Sequence, residues 1–221
     1  MIEFPVFAVI GYLLGSISFG VLVGRLFSNV DVREHGSGNT GMTNVLRTLG
    51  PPAAAFVLLA DMGKAALAVV LAKLLVGAPG VEVTAALAAI VGHNWPVFLG
   101  FKGGRGTSSG WGALIVLSPI SALVATLLGG PTAAVSRYMS LGSLVGTVSG
   151  SATIVVLALF DAVPGAYAWY GLMGTALIVA RHRDSIQRLL KGEERKVGRP
   201  TADAPRKTKP ARGRQRWPRS V

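Results

Sequence analysis

Residues 36–47 read Gly-Ser-Gly-Asn-Thr-Gly-Met-Thr-Asn-Val-Leu-Arg, a polar stretch set between two hydrophobic runs. Gly36, Gly38 and Gly41 satisfy the letters GxGxxG, but that fingerprint has meaning only after a strand and at the head of a βαβ helix. The flanks here are apolar over membrane lengths, so the stretch is a polar segment between spans and a dinucleotide fold is set aside. Its three glycines leave backbone N–H groups uncovered. Ser37, Asn39, Thr43 and Asn44 add short polar side chains ahead of the Arg47 cation. Such a cluster suits an anion. A plain connecting loop would account for the glycine and asparagine, but not for a serine, two asparagines and an arginine so close together.

Composition points the same way. Of 221 residues, 51% are hydrophobic and 14% charged, with a mean hydropathy of +0.52, a combination foreign to soluble domains. The chain reads as an all-α integral membrane protein with room for roughly six to eight spans of about 20 residues. It holds no cysteine, which excludes thiol catalysis and a disulfide framework, and only three histidines, which leaves few metal options. The net charge is +12. Residues 191–221 carry 11 Lys/Arg against 3 Asp/Glu, so +8 of it sits in that segment. Two regions follow: a single bundle over 1–190 and a basic, disordered tail over 191–221.

From the N-terminus, Phe4 to Phe27 is an apolar run interrupted by Gly15-Ser-Ile-Ser-Phe-Gly20. With Glu3 and no cation ahead of it, it reads as a retained span and not a cleaved signal. Pro51 to Val76 is a second span carrying Asp61 and Lys64. These stand at i and i+3 on one helix face, as an ion pair that staples the helix or as a substrate contact. A turn over Gly77 to Glu82 leads to a third span, Val83 to Leu99, which must stop near Trp95 because Pro96 disfavours helix in the residue before it.

The next segment, residues 92–107, reads Gly-His-Asn-Trp-Pro-Val-Phe-Leu-Gly-Phe-Lys-Gly-Gly-Arg-Gly-Thr. Lys102 and Arg105 are interleaved with Gly103, Gly104 and Gly106 just before a hydrophobic run. This resembles a phosphate cradle at a helix N-terminus, where free N–H groups and the dipole favour negative charge. It is not a Walker A loop, since GxxxxGK[ST] and a preceding strand are both missing. Lys102 and Arg47 are expected to clamp phosphates.

Ser118-Pro119 divides the stretch from Ser108 to Ser136, which is one kinked span or two short ones. Loops rich in Lys/Arg stay on the cytoplasmic side. Two crossings, followed by spans at Leu141 to Phe160 and Val163 to Val179, put Arg33, Arg47, Lys102, Arg105, Arg137 and the tail on one side. Glu3, Glu82 and Asp161 are then left on the other. The expectation is seven spans, N-terminus outside and C-terminus cytoplasmic, with the two short halves around Pro119 thinning the bilayer or forming a re-entrant pair. Three polar segments converge on the cytoplasmic face: 33–47, 102–106, and the group of Arg137 to Ser143 with His182 to Glu194. Ser140 and Ser143 open a span, where hydroxyls bind an anion or, more often, cap the helix. His182, between Arg181 and Arg183, reads as a phosphate ligand ahead of an acid–base group.

These motifs, in order and with near-family spacing over about residues 10–198, resemble the bacterial membrane acyl-phosphate:glycerol-3-phosphate acyltransferases. The resemblance runs through Gly36 to Arg47, Gly92 to Gly106, Ser136 to Ser143, and His182 through Ile186, Arg188, Leu190 and Glu194 to Lys196. It implies a cytoplasm-facing site in the bacterial inner membrane and acyl transfer from acyl phosphate to the 1-hydroxyl of glycerol 3-phosphate. The products would be lysophosphatidate and inorganic phosphate, with no ATP, metal or cofactor. It also implies Ser37, Arg47, Lys102 and His182 as catalytic, and that the glycerol 3-phosphate phosphate itself takes the proton. No HxxxxD pattern accompanies any histidine, so proximity and charge stabilisation would carry the acceleration.

Four positions depart from the family pattern. Thr40 stands for proline or another apolar residue, Met42 for alanine, Ala65 for the glycine after Lys64, and Ser185 for a functional asparagine. Serine keeps one donor and one acceptor at shorter reach, and Ser185 is retained as substrate-binding. The rival reading is a transporter or channel for a phosphorylated solute. No inverted repeat supports it, and the polar motifs gather on one side. Expected partners are the lipid bilayer, with the tail on anionic lipid, and the enzyme that makes acyl phosphate, with no specific nucleic acid.

Overall fold

The computed structural model describes residues 1–198, and all its regular structure is helical. Helices α1 (Glu3–Ser16) and α2 (Phe19–Ser28) form one apolar stretch broken at Ile17 and Ser18, whose backbones are extended. A single 3-10 turn, Val32–Glu34, and the short α3 (Met42–Thr48) follow. Then come α4 (Pro51–Leu75) and α5 (Pro79–Asn94), each with proline in its first turn, where the missing N–H costs nothing. The third span therefore begins four residues earlier than Val83. It ends, as Pro96 requires, before Trp95.

The stretch around Pro119 is two helices, α6 (Thr107–Leu117) and α7 (Pro119–Ser136). Ser118 is extended, ending α6 and capping α7 through its hydroxyl, which accepts from the Ser121 N–H at 3.4 Å. Arg137, at φ 61°, turns the chain into α8 (Met139–Leu159); α9 (Tyr167–Arg181) and α10 (Arg183–Leu190) complete the fold. Among the described residues, four stretches are long and apolar enough to cross a membrane: Glu3–Ser28, Pro51–Leu75, Pro119–Ser136 and Met139–Leu159. The chain is a multi-pass membrane protein by this measure.

Small residues set the packing. Lipid offers no hydrophobic drive between helices, so close backbone approach must supply the contact. A Cβ on Gly15 would strike the backbone of Ala89, one on Gly92 the Tyr12 carbonyl, and one on Gly112 the backbone of Met62. These glycines press α1 onto α5 and α6 onto α4. Helix α5 lies at the centre, packed against α1, α4, α6 and α9, and Ala85, Ala86, Ala89 and Ile90 are fully buried. Large apolar side chains such as Leu13, Phe56, Leu123 and Leu172 face outward, the inverse of a soluble fold and suited to lipid.

Candidate active site

The first polar segment folds around one side chain. Asn44 is 1% exposed; its amide Nδ2 donates to the carbonyls of Val32 (2.7 Å), Asn39 (2.9 Å) and His35 (3.1 Å), while its Oδ1 accepts from the Ser37 N–H at 2.8 Å. Gly36 and Gly38, at φ 62° and 70°, make the turn that only glycine adopts cheaply. A Cβ on Gly36 would fall on Asn44 Oδ1. Asp31 anchors the entrance through Arg25 (3.0 Å) and Arg33 (2.7 Å), and the Arg33 guanidinium holds its carboxyl well below the usual range. A buried patch of Val21, Val23, Val32, Val45, Ala54 and Val57 lies beneath.

The second segment is laid on the end of α5. The Gly104 N–H donates to the His93 carbonyl at 3.0 Å. From α9, Arg181 donates to the Gly104 carbonyl at 3.1 Å and stacks 5.3 Å over the Trp95 ring. Gly106, at φ 85°, starts α6.

The third segment closes over the other two. The Arg188 Nε donates to Glu194 Oε2 at 2.6 Å and the Ser140 hydroxyl to Glu194 Oε1 at 2.8 Å. Arg47 donates to the Arg195 carbonyl at 3.3 Å, and the Val197 N–H to the Arg137 carbonyl at 2.8 Å. Glu194 to Val197, within the segment expected as a tail, thus pack on the bundle. Residues 199–221 lie outside the described residues.

Between these segments is a cavity of about 550 Å³. Of the residues singled out in the sequence, Ser37, Asn39, Gly41, Thr43, Asn44, Arg47, Arg105, Gly106, Ser140, Ser143 and His182 line it. Gly36, Gly38, Gly103 and Gly104 do not; they shape the turns behind the wall. Lys102 does not either. It sits exposed on the outside of its turn, and the cation of that turn which reaches the cavity is Arg105. Ser185 is fully buried and accepts from Arg188 at 2.9 Å, so it supports the arginine that grips Glu194. Ser140 gives its hydroxyl to Glu194 and caps nothing, since Tyr138 holds the cap position of α8.

His93, Trp111, Arg137 and Glu194 also line the cavity; the sequence put Arg137 and Glu194 in the third polar segment but singled out none of the four as site residues. Arg137, left-handed between two apolar helices, carried a usable signal. Glu194, an acid within a basic run, carried a weaker one.

His182 is 2% exposed, and burial pushes its imidazole down to about 4, so it is neutral near pH 7. Its Nδ1 lies 2.8 Å from the Ile178 carbonyl. A carbonyl only accepts, so Nδ1 carries the proton and Nε2 keeps a lone pair. With its lone pair on Nε2, the ring can accept from a hydroxyl. Burial also lowers the pKa of Arg47 and Arg105; both stay cationic, as arginine does in proteins. The cavity is thus lined both by the arginines Arg47, Arg105 and Arg137 with the neutral His182, and by the apolar Leu58, Trp111, Ala133, Ala134 and Met139.

A family model described as glycerol-3-phosphate acyltransferase matches residues 5–192. The chain belongs to this family. A glycerol-3-phosphate acyltransferase of Anaeromyxobacter dehalogenans is 48% identical over 196 residues, covering 85% of this chain and 94% of that protein. Glycerol-3-phosphate acyltransferase 3 of Dehalococcoides mccartyi, strain CBDB1, is 43% identical over 205 residues, covering 86% and 93%. The crystal structure of PlsY, an integral membrane glycerol 3-phosphate acyltransferase, in its glycerol 3-phosphate form, superposes with a TM-score of 0.82 at 36% identity, covering 88% of this chain and 96% of that one. Its lysophosphatidic acid form gives 0.80 at 35%. Membership in this family decides for the acyltransferase and against the transporter.

Proposed function

We propose that the protein transfers a fatty acyl group from acyl phosphate to the 1-hydroxyl of glycerol 3-phosphate, releasing lysophosphatidate and inorganic phosphate. The observation that carries this is one cavity lined by both arginines and apolar side chains. Arg47 and Arg105 suit two phosphorylated substrates, and Leu58, Trp111, Ala133, Ala134 and Met139 suit an acyl chain. The hydroxyl oxygen attacks the acyl carbonyl carbon, the bond from that carbon to the phosphate oxygen breaks, and the oxygen leaves on phosphate. The hydroxyl donates to His182 Nε2, which orients it. A base titrating near 4 is a poor final home for the proton when a phosphate with a second pKa of about 6 is beside it, so a phosphate takes it. Incubating purified protein with acyl phosphate and glycerol 3-phosphate and following phosphate release tests this. Lysophosphatidate formed only from acyl-CoA, or a phosphorylated solute moved across vesicles without acyl transfer, contradicts it.

The reading extends to seven crossings, N-terminus outside, C-terminus and site cytoplasmic, in a bacterial inner membrane. Short helices α5, α6 and α9 supply the crossings beyond the four long stretches, and the positive-inside distribution supports the orientation. The chain has no cysteine, so single introduced cysteines at Arg33 and Asp161 report sidedness directly. Labelling of position 33 from outside would overturn the orientation. The basic stretch over 199–221 lies on anionic lipid, which attracts each nearby cation by about 1 kcal/mol, with the acyl-phosphate-producing enzyme as a further partner. Removing 199–221 should weaken binding to anionic liposomes in a salt-dependent way and leave activity in detergent intact. Loss of that activity would place the tail in the site.

A further inference from the structure

Helices α4 and α5 bury a charge cluster that the reaction above does not use. Asp61, Lys64 and His93 are 1%, 5% and 5% exposed. The Lys64 Nζ lies 2.6 Å from the Ile17 carbonyl, 2.7 Å from Asp61 Oδ1 and 3.1 Å from His93 Nδ1. An ammonium has three N–H donors and no lone pair. Against the His93 ring nitrogen it can therefore only donate. The Nδ1 of His93 therefore carries a lone pair, and its proton is on Nε2. In the opposite tautomer Nδ1–H would have to reach Asp61 Oδ1 across 3.6 Å, beyond hydrogen-bond range, while pointing a proton at the ammonium.

The Nε2 side of the ring meets the glycine turn. A Cβ on Gly104 would fall on Nε2, the His93 ring lines the cavity, and among the described residues Nε2 has no hydrogen-bond partner. We propose that His93 is a catalytic residue whose Nε2–H donates to an oxygen of the acyl phosphate at the Gly103–Gly106 turn, and that Lys64 is a positioning residue that fixes this tautomer. The proposal rests on the acyltransferase reading. As the carbonyl is attacked, negative charge grows on the acyl oxygen and then on the departing phosphate, and a donor already aimed there needs no reorganisation. His93 and His182 are opposite tautomers on one cavity: the first serves an anion, the second a hydroxyl. Gly104 packs on the first ring, where a larger residue would press on Nε2.

Three variants and a spectrum test this. His93→Gln carries an amide N–H close to the place of Nε2, whereas His93→Asn carries it close to the place of Nδ1. His93→Gln should keep kcat within about tenfold of the unaltered protein, and His93→Asn should lose about 10²–10³-fold, the usual effect of removing one preorganised donor. Equal activity in the two variants overturns the proposal. The ¹⁵N spectrum of the unaltered protein near pH 7 should show His93 protonated at Nε2 and bare at Nδ1, and Lys64→Met should mix the tautomers. A proton on Nδ1 overturns it even where a variant fails to fold. If the unaltered protein makes no lysophosphatidate at all, the proposed reaction fails while the spectrum still reports the tautomer.

Discussion

Gly104 and His93 are joined at two points: the glycine N–H donates to the histidine carbonyl at 3.0 Å, and its bare Cα packs directly on the imidazole. A methyl group there would fall on Nε2. Gly104→Ala must therefore shift either the ring or the turn carrying Arg105. A displacement of about 1 Å in a positioned group costs on the order of 10²-fold in rate, while overpacking costs about 1–3 kcal/mol of stability. The variant should fold and lose about 10²-fold in kcat/KM, measured by initial rates in detergent beside a thermal melt. Unchanged kinetics would mean the turn is not part of the site.

Arg105 and Lys102 offer a paired comparison within one turn. Arg105 lines the cavity and Lys102 is exposed outside it. Arg105→Ala should cost about 10²–10³-fold in kcat/KM and Lys102→Ala less than about tenfold. The reverse order, read from initial rates of both variants, would return Lys102 to the role its spacing suggested.

Much of this was legible in the chain because the signals were local. Pro96 ended α5 and Ser118-Pro119 split α6 from α7, each through the backbone chemistry of one or two residues. The polar segments that line the cavity were also visible, since glycine and cations between spans have few other uses. What escaped depended on tertiary direction. Left-handed Gly100 and Phe101 reverse the chain just before Lys102, leaving it outside while Arg105 points in, and spacing alone does not encode that reversal. Asn44 looked like a ligand and is a scaffold because four backbone groups, from Val32 to Asn39, converge on it. Glu194 was hidden among cations, although Arg188 and Ser140, 6 and 54 residues away, hold it.

His182 supplies a pH signature. Burial holds its folded pKa at about 4, below the ordinary histidine value of about 6.5. Between these values the unfolded chain binds a proton that the folded protein does not, so stability rises with pH through this window. The contribution is complete above about 6.5 and is lost as pH falls toward about 4. Ring titration by NMR should place His182 near 4, and His182→Gln should flatten the fall in melting temperature between about pH 6.5 and 4. A midpoint near 6.5 would show that the ring is solvated or paired with an anion.

The central claim is that the glycerol hydroxyl oxygen attacks the acyl carbon of acyl phosphate. Mass spectrometry of the products, starting from glycerol 3-phosphate labelled with ¹⁸O at the 1-hydroxyl, tests it in one step. The account predicts lysophosphatidate that retains the label in its ester linkage, with unlabelled inorganic phosphate released in equal amount. Label appearing in the free phosphate, or a lysophosphatidate ester without it, would contradict the account.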